Sequence, residues 1–276
     1  MVRQLALLLL LAGPVSTGPG FAAPEAPRRV VSINLCTDQL AILLAAPGQL
    51  ISVSDLAQDP RSSTMVEAAM AYPANQGQAE EVYLMKPDLV LAGAYTARAT
   101  VSMLERLGIR VVTFPPASSI AEVRQGMIEM GRALGREAAA QAMLEAFDAR
   151  LARLPPAPPQ RPTAATFAAN GYASGSRSLA GEIIERAGYH HLAEDLGMPM
   201  GGFLPLEALI MADPDLVIAG DPYPGASRAE EVLHHPALAA LTGGQTVLEE
   251  NDWVCGLPAL LDATERLAAT RKGVAP

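Results

Sequence analysis

The sequence predicts an α/β protein of two Rossmann-like lobes, each built on a parallel sheet, joined by one long α-helix. Three observations predict it. The heptad PDLVLAG at residues 87–93 returns almost unchanged as PDLVIAG at residues 214–220. Strand-like apolar runs alternate with helical stretches in both halves of the chain. Between the halves lies an unbroken helical pattern that stops at a run of prolines.

The heptads have the form of strands buried on both faces, an apolar run opened by a Pro-Asp turn. Each follows an amphipathic stretch, EEVYLMK (80–86) in one copy and EALIMAD (207–213) in the other. Glu80 and Glu207 both stand seven residues before the proline, so the match includes a helix as well as a strand. That extent points to duplication of a whole lobe.

In the first half, RVVSI (29–33), LISVS (50–54), DLVLAG (88–93) and IRVVTF (109–114) read as strands, with helices between them at 37–45 and 97–107. In the second, TAATFAA (163–169), DLVIAG (215–220) and QTVLEE (245–250) read as strands, and 178–187, 236–241 and 258–270 as helices. Alternation of this kind implies right-handed crossovers and parallel sheets. The connector, GREAAAQAMLEAFDARLARL (135–154), is rich in Ala, Leu, Glu and Arg and ends at PPAPPQRP (155–162), where prolines cannot continue a helix. A helix of that length spans about 30 Å. The resulting division is a first lobe over 28–117, a helical segment with the connector over 118–160, and a second lobe over 161–276.

Met1-Val2-Arg3, the apolar run 5–12 and the small residues Gly20-Phe21-Ala22-Ala23 have the form of a secretory signal over residues 1–22, cleaved near Ala22. The expected mature chain is a soluble periplasmic protein of about 250 residues, long enough for two modest domains. Half the residues are hydrophobic and the formal charge is -9. That composition excludes a disordered chain and argues against a nucleic-acid partner, which needs clustered Lys and Arg. The two cysteines, Cys36 and Cys255, are too few for a disulfide framework, although the compartment permits a bond. There is no G-x-S-x-G elbow, P-loop, G-x-G-x-x-G after a strand or H-E-x-x-H, so no catalytic residue is assigned.

The chain resembles the periplasmic binding proteins of the iron-siderophore, cobalamin and haem importers. The resemblance rests on RVVSINLCTDQL (29–40), NQGQAEEVYLMKPDLVLAG (75–93), the spanning helix and NDWVCGLPA (251–259). It implies two lobes joined by one long helix, and a monomer that hands a metal chelate to the permease subunits of an ABC importer. It also implies that a glutamate at each lobe's outer tip pairs with permease arginines; the matching residues are Glu80 and Glu207. No cofactor of its own is expected, and the cargo would contain iron or cobalt. A ferric siderophore ranks first, cobalamin second and haem third. The alternatives are a binder of free metal ions and a secreted α/β hydrolase.

In open α/β sheets ligands bind beyond the carboxyl ends of the strands. That rule selects Asn34, Leu35, Cys36, Thr37, Asn75, Tyr95 and Arg98 from the first lobe. From the second it selects Tyr172, Arg177, Phe203, Tyr223 and Trp253. Aromatic residues are only 4% of the chain, yet four of these loop positions are aromatic in one lobe, which suits a ligand with a flat or apolar face. Cys36 and Cys255 both fall in cleft-side loops, one per lobe, and three readings stand open: a bridge across the cleft, two thiols near the ligand, or two buried residues. The pairs His190-His191 and His234-His235 are expected at the surface, because adjacent side chains diverge and rarely chelate one ion. No metal site is assigned to the protein itself.

Overall fold

A computed structural model describes residues 25–220, 225, 227–241 and 253–271, and the backbone of 245–247. The signal expected over 1–22, as well as Tyr223, lies outside the described residues. Among the described residues no helix is long and apolar enough to cross a membrane.

The first half runs β1 (Val30–Ser32), α1 (Leu35–Leu44), β2 (Leu50–Ser54), α2 (Val66–Ala69), β3 (Ala74–Asn75), α3 (Ala79–Leu84), β4 (Leu89–Gly93), α4 (Arg98–Arg106) and β5 (Val111–Phe114). Its five strands form one parallel sheet in the order β3-β2-β1-β4-β5. The chain builds outward from β1 in one direction, then returns to β4 and builds in the other. The order therefore switches between β1 and β4, the place where a crevice opens in such sheets. β1 and β4 are buried along their whole length, which is why both read as continuous apolar runs.

Two helices follow, α5 (Ile120–Leu134) and α6 (Glu137–Leu151). The connector expected over 135–154 is α6, 15 residues long and thus about 22 Å. It is shorter at both ends for local reasons. Gly135 takes a left-handed conformation (φ 65°) that closes α5, and the chain leaves the helix before Pro155, where the residue ahead of a proline avoids helical angles.

The second half continues with β6 (Thr163–Phe167), β7 (Tyr172–Ala173), α7 (Leu179–Arg186), β8 (His190–His191), α8 (Leu192–Asp195), β9 (Gly202–Phe203), α9 (Leu206–Ala212), β10 (Leu216–Ala219), α10 (Pro236–Ala239), β11 (Gln245–Val247) and α11 (Leu260–Thr270). Its main sheet is parallel in the order β11-β10-β6-β8, and β7 with β9 forms a separate antiparallel ribbon. Set beside β5-β4-β1-β2, the order is the same. The heptads occupy equivalent strands, β4 and β10, and the helices before them end alike. Lys86 and Asp213, each one residue before the heptad's proline, both adopt positive φ (52° and 40°), rare for side chains other than glycine.

The Pro-Asp signature has a structural cause. Asp88 accepts hydrogen bonds from the amides of Arg28 and Arg29 (2.7 and 3.0 Å), just before β1. Asp215 accepts from the amide and hydroxyl of Thr163 (2.6 and 2.9 Å), at the start of β6. In each lobe the heptad's aspartate thus satisfies the leading donors of the neighbouring strand.

One apolar cluster runs through both halves. Val30 and Leu89 of the first sheet, Met127 and Leu144 of the two helices, and Ile183, Leu216 and Leu267 of the second half all belong to it. Arg150 on α6 binds Glu265 on α11 through two nitrogens (2.8 and 2.7 Å) and also pairs with Asp262. The amide of Ile120 donates to Glu182 on α7 at 2.7 Å. The two sheets therefore share packing instead of hanging from a bare linker.

His190 and His191 depart from the surface position expected of them. His191 lies in β8 at 1% exposure: successive residues of a strand point to opposite faces of the sheet, and the face His191 takes is the packed one. His190 remains half-exposed and sits 2.9 Å from Asp195. His234 and His235 are exposed, and Nδ1 of His235 caps α10.

Burial pushes the His191 imidazole down to about 4. Its Nδ1 accepts from the amide of Ala193 (3.1 Å), so the proton of the neutral ring sits on Nε2, and a second proton would turn an acceptor into a donor facing a donor. Asp38, fully buried in the first turn of α1 with one carboxyl oxygen unpartnered, is pushed up to about 6 by burial, against the hydrogen bonds of Ser32 and Ser54. The signs are opposite. The His191 contribution is present above about 6.5 and is lost as pH falls toward 4; the Asp38 contribution is present below about 3.8 and is lost as pH rises through 6. Each amounts to about 3 kcal/mol at full extent. Between pH 4 and 6 the two oppose each other, so Asp38→Asn should steepen the fall of melting temperature on acidification over that range. An unchanged pH profile in this variant would refute the assignment to Asp38.

Candidate ligand-binding cleft

The carboxyl ends of β1 and β4 meet at the switch point. Asn34 follows β1 and caps α1: its side-chain oxygen accepts from the amides of Cys36 (3.2 Å) and Thr37 (3.4 Å). Gly93 closes β4 directly beside it. A Cβ at position 93 would fall 2.7 Å from the side-chain nitrogen of Asn34, so a larger residue there would push the Asn34 side chain out of its capping position.

Above this floor lies a recess of about 790 Å³, counting its open mouth. Asn34, Thr37, Leu40 and Gly93 form its base, and Phe114, Pro115, Pro116 and Ala117, after β5, form one wall. Glu122, Val123 and Gly126 of α5 form a second wall. The remaining side comes from Cys36, Val254 and Gly256, with Tyr95 at the rim, 88% exposed. The walls are mostly apolar. At the edge, hydrogen bonds from the hydroxyl and amide of Ser118 hold the Glu122 carboxyl below its ordinary value.

Cys36 and Cys255 form a disulfide, with Cα atoms 5.1 Å apart across 219 residues of sequence. Of the three readings left open by the sequence, the bridge is the one realised. It ties the start of α1 to the segment before α11, and Val254 and Gly256, on either side of Cys255, are held as part of the recess wall.

The strand-end rule places Asn34, Cys36, Thr37 and Tyr95 in the recess. Tyr172 and Phe203 stand directly opposite each other in the β7–β9 ribbon, 51% and 71% exposed, an aromatic pair just beyond the carboxyl end of β6. Trp253 packs partly buried against the common core, next to Val254. Arg177 is exposed on the loop before α7. Arg98 lines a shallow depression that adjoins the recess through Gly93 and Ala94.

Two selections land elsewhere. Asn75 is 1% exposed, and its amide donates to the carbonyls of Ser32 and Val53 and to the Ser52 hydroxyl, all at 2.8–2.9 Å. It is a strut between β1, β2 and β3, because β3 ends at Asn75 and carries its side chain into the sheet. Leu35 packs against the core.

The residues after β5 and on α5 escaped selection, yet both had a signal. Pro115 and Pro116 follow a strand that had been read correctly, and Ser119-x-x-Glu122 has the spacing of a helix start: Ser119 Oγ caps α5 by accepting from the Glu122 amide at 3.2 Å, and the Glu122 carboxylate accepts from Ser118.

Two matching parallel-sheet lobes, fastened by paired helices and presenting an apolar recess at a strand switch point, define a bilobal solute-binding protein. The profile of the family described as "Periplasmic binding protein" matches residues 30–246. The chain belongs to that family. A protein of Halobacterium salinarum named "Cobalamin-binding protein" is 30% identical over 213 residues, 75% of this chain and 58% of that relative. The chain thus aligns with little more than half the relative's length. Among solved structures, a periplasmic heme binding protein from Pseudomonas aeruginosa superposes with a TM-score of 0.71 at 25% identity, covering 91% of this chain and 94% of that one. A periplasmic vitamin B12 binding protein of Vibrio cholerae gives 0.64 at 16% identity, covering 91% and 99%, a likeness of fold.

Proposed function

We propose that this protein is the solute-binding subunit of an ABC importer and that its cargo is a metal chelate with a broad apolar face. The observation that carries the reading is the recess at the switch point, walled by Phe114, Pro115, Pro116 and Val254, with the aromatic pair of Tyr172 and Phe203 on the other sheet. Apolar walls with a few polar groups orient a large ligand by shape and solvent exclusion. Cobalamin moves ahead of ferric siderophores and haem in this reading, supported by the Halobacterium salinarum relative.

Glu80 and Glu207 serve as the docking contacts. Each is exposed, at the second position of its helix. α3 starts just beyond the carboxyl end of β3, so Glu80 lies at the cleft end of the first sheet; α9 starts just beyond the β7–β9 ribbon, which places Glu207 correspondingly. Among the described residues neither makes an ion pair. An unpaired carboxylate facing an arginine gives a strong, bidentate contact. The shared core of the two sheets keeps lobe motion small, so loaded and empty forms differ mainly in the cleft.

The test is the fluorescence of Trp253, the only tryptophan in the chain, which adjoins the recess wall. Titration of the secreted protein with cyanocobalamin, after inner-filter correction, should quench it saturably at one equivalent, with haemin and ferrichrome weaker. Saturation by haemin or ferrichrome alone would move the assignment within the class. No response to any of the three would refute the chelate reading.

A further inference from the structure

We propose that each lobe docks on the permease through a second, apolar contact, made by Leu84 at one tip and Met211 at the other. The proposal rests on Glu80 and Glu207 being the charged contacts. Leu84 follows Glu80 by four residues and Met211 follows Glu207 by four, so each apolar side chain stands one turn along on the same helix face as its glutamate. The lobe repeat puts the two pairs in register. Leu84 is 77% exposed and Met211 87%.

Neither is a stray from the core-facing stripe. Val82 and Leu209, also equivalent, are 0% exposed and already anchor the two helices. Five large apolar side chains among the described residues exceed 70% exposure. Tyr95 rims the recess, Phe203 belongs to the aromatic ribbon and Met200 lies on the loop that carries it. The other two are Leu84 and Met211. A single exposed apolar side chain is ordinary on a protein surface; what sets these two apart is that each repeats in its own lobe one turn from a matching exposed carboxylate.

The partner must offer a cation next to an apolar patch, twice, with the spacing of the two lobes. A permease of two similar subunits or halves, presenting the same surface twice, is the partner that meets this requirement. An anionic bilayer surface would repel the glutamates, and a twofold dimer of this chain would bring Glu80 and Glu207 of two copies together. The apolar contact shields the ion pair from water, so loss of either weakens the other.

The experiment uses the importer expressed with this protein, reconstituted in nanodiscs, and measures its binding of the fluorescently labelled chain. Leu84→Ser with Met211→Ser should weaken association at least tenfold, while the exchanged pair Leu84→Met with Met211→Leu binds as wild type. Melting temperature and Trp253 quenching by cyanocobalamin should not change in either. Both positions are largely exposed, so the serine pair should fold; the two single variants, each losing part of the affinity, give an independent reading. Wild-type affinity in the serine pair overturns the proposal. If Glu80→Lys with Glu207→Lys abolishes binding at the same time, the charged contacts stand without the apolar ones; if that variant also binds as wild type, the docking reading falls with it. A wild-type dimer that the serine pair converts to monomer would assign the surface to a second copy and equally overturn the proposal.

Discussion

Replacing Cys36 and Cys255 by serine should lower the unfolding free energy by about 5 kcal/mol, the value that the chain-entropy argument gives for a loop of this length. The bond closes 219 residues of sequence, nearly the whole described chain. Without it the unfolded chain regains the freedom of that loop, and in the folded protein the segment before α11 keeps its place through the core contacts of Trp253, Leu257 and Ala259. The check is urea unfolding of the wild type with and without reductant, alongside the double variant. Reduction should bring the wild type to the variant's stability and leave the variant unmoved. Equal stability in all three conditions would mean that the lobes need no covalent tie. Because Val254 and Gly256 flank Cys255 in the recess wall, ligand quenching of Trp253 should weaken in parallel with the loss of the bond.

Glu80→Lys with Glu207→Lys should abolish uptake while changing ligand affinity by less than about twofold. Breaking one close ion pair at an interface costs about 2 to 5 kcal/mol, so reversing two charges at opposite ends of one docking surface removes at least a thousandfold in affinity. Both residues are exposed on helices whose buried anchors are Val82 and Leu209, so the fold has no stake in either carboxylate. Uptake of radiolabelled cobalamin in cells carrying the variant checks the first half, and fluorescence titration the second. Retained uptake would sink the docking assignment; lost ligand binding would place the glutamates in the cleft instead.

The sequence was most legible where a local rule and a global one coincide. The heptads announced buried parallel strands because both faces of β4 and β10 are covered, and their Pro-Asp openings are the residues that end a helix and satisfy a neighbouring strand. Asn34 and Tyr95 followed from the strand-end rule alone. Asn75 obeyed the same rule and failed it, since a position along the chain does not reveal which way a side chain turns at the end of a two-residue strand. His191 was misjudged for a related reason: β8 is two residues long, too short to show an alternating pattern.

Sequence alone determined the fold class, the duplicated lobe and the register that pairs Glu80 with Glu207, because these depend on periodicity and on contacts among near neighbours. Tertiary structure alone decided that Cys36 meets Cys255, that the walls of the recess come from β5, α5 and the segment before α11, and that both sheets share one core. Each of those facts joins residues scores of positions apart. Their proximity is fixed by how the lobes pack on α5 and α6, and no local pattern in the chain encodes that packing.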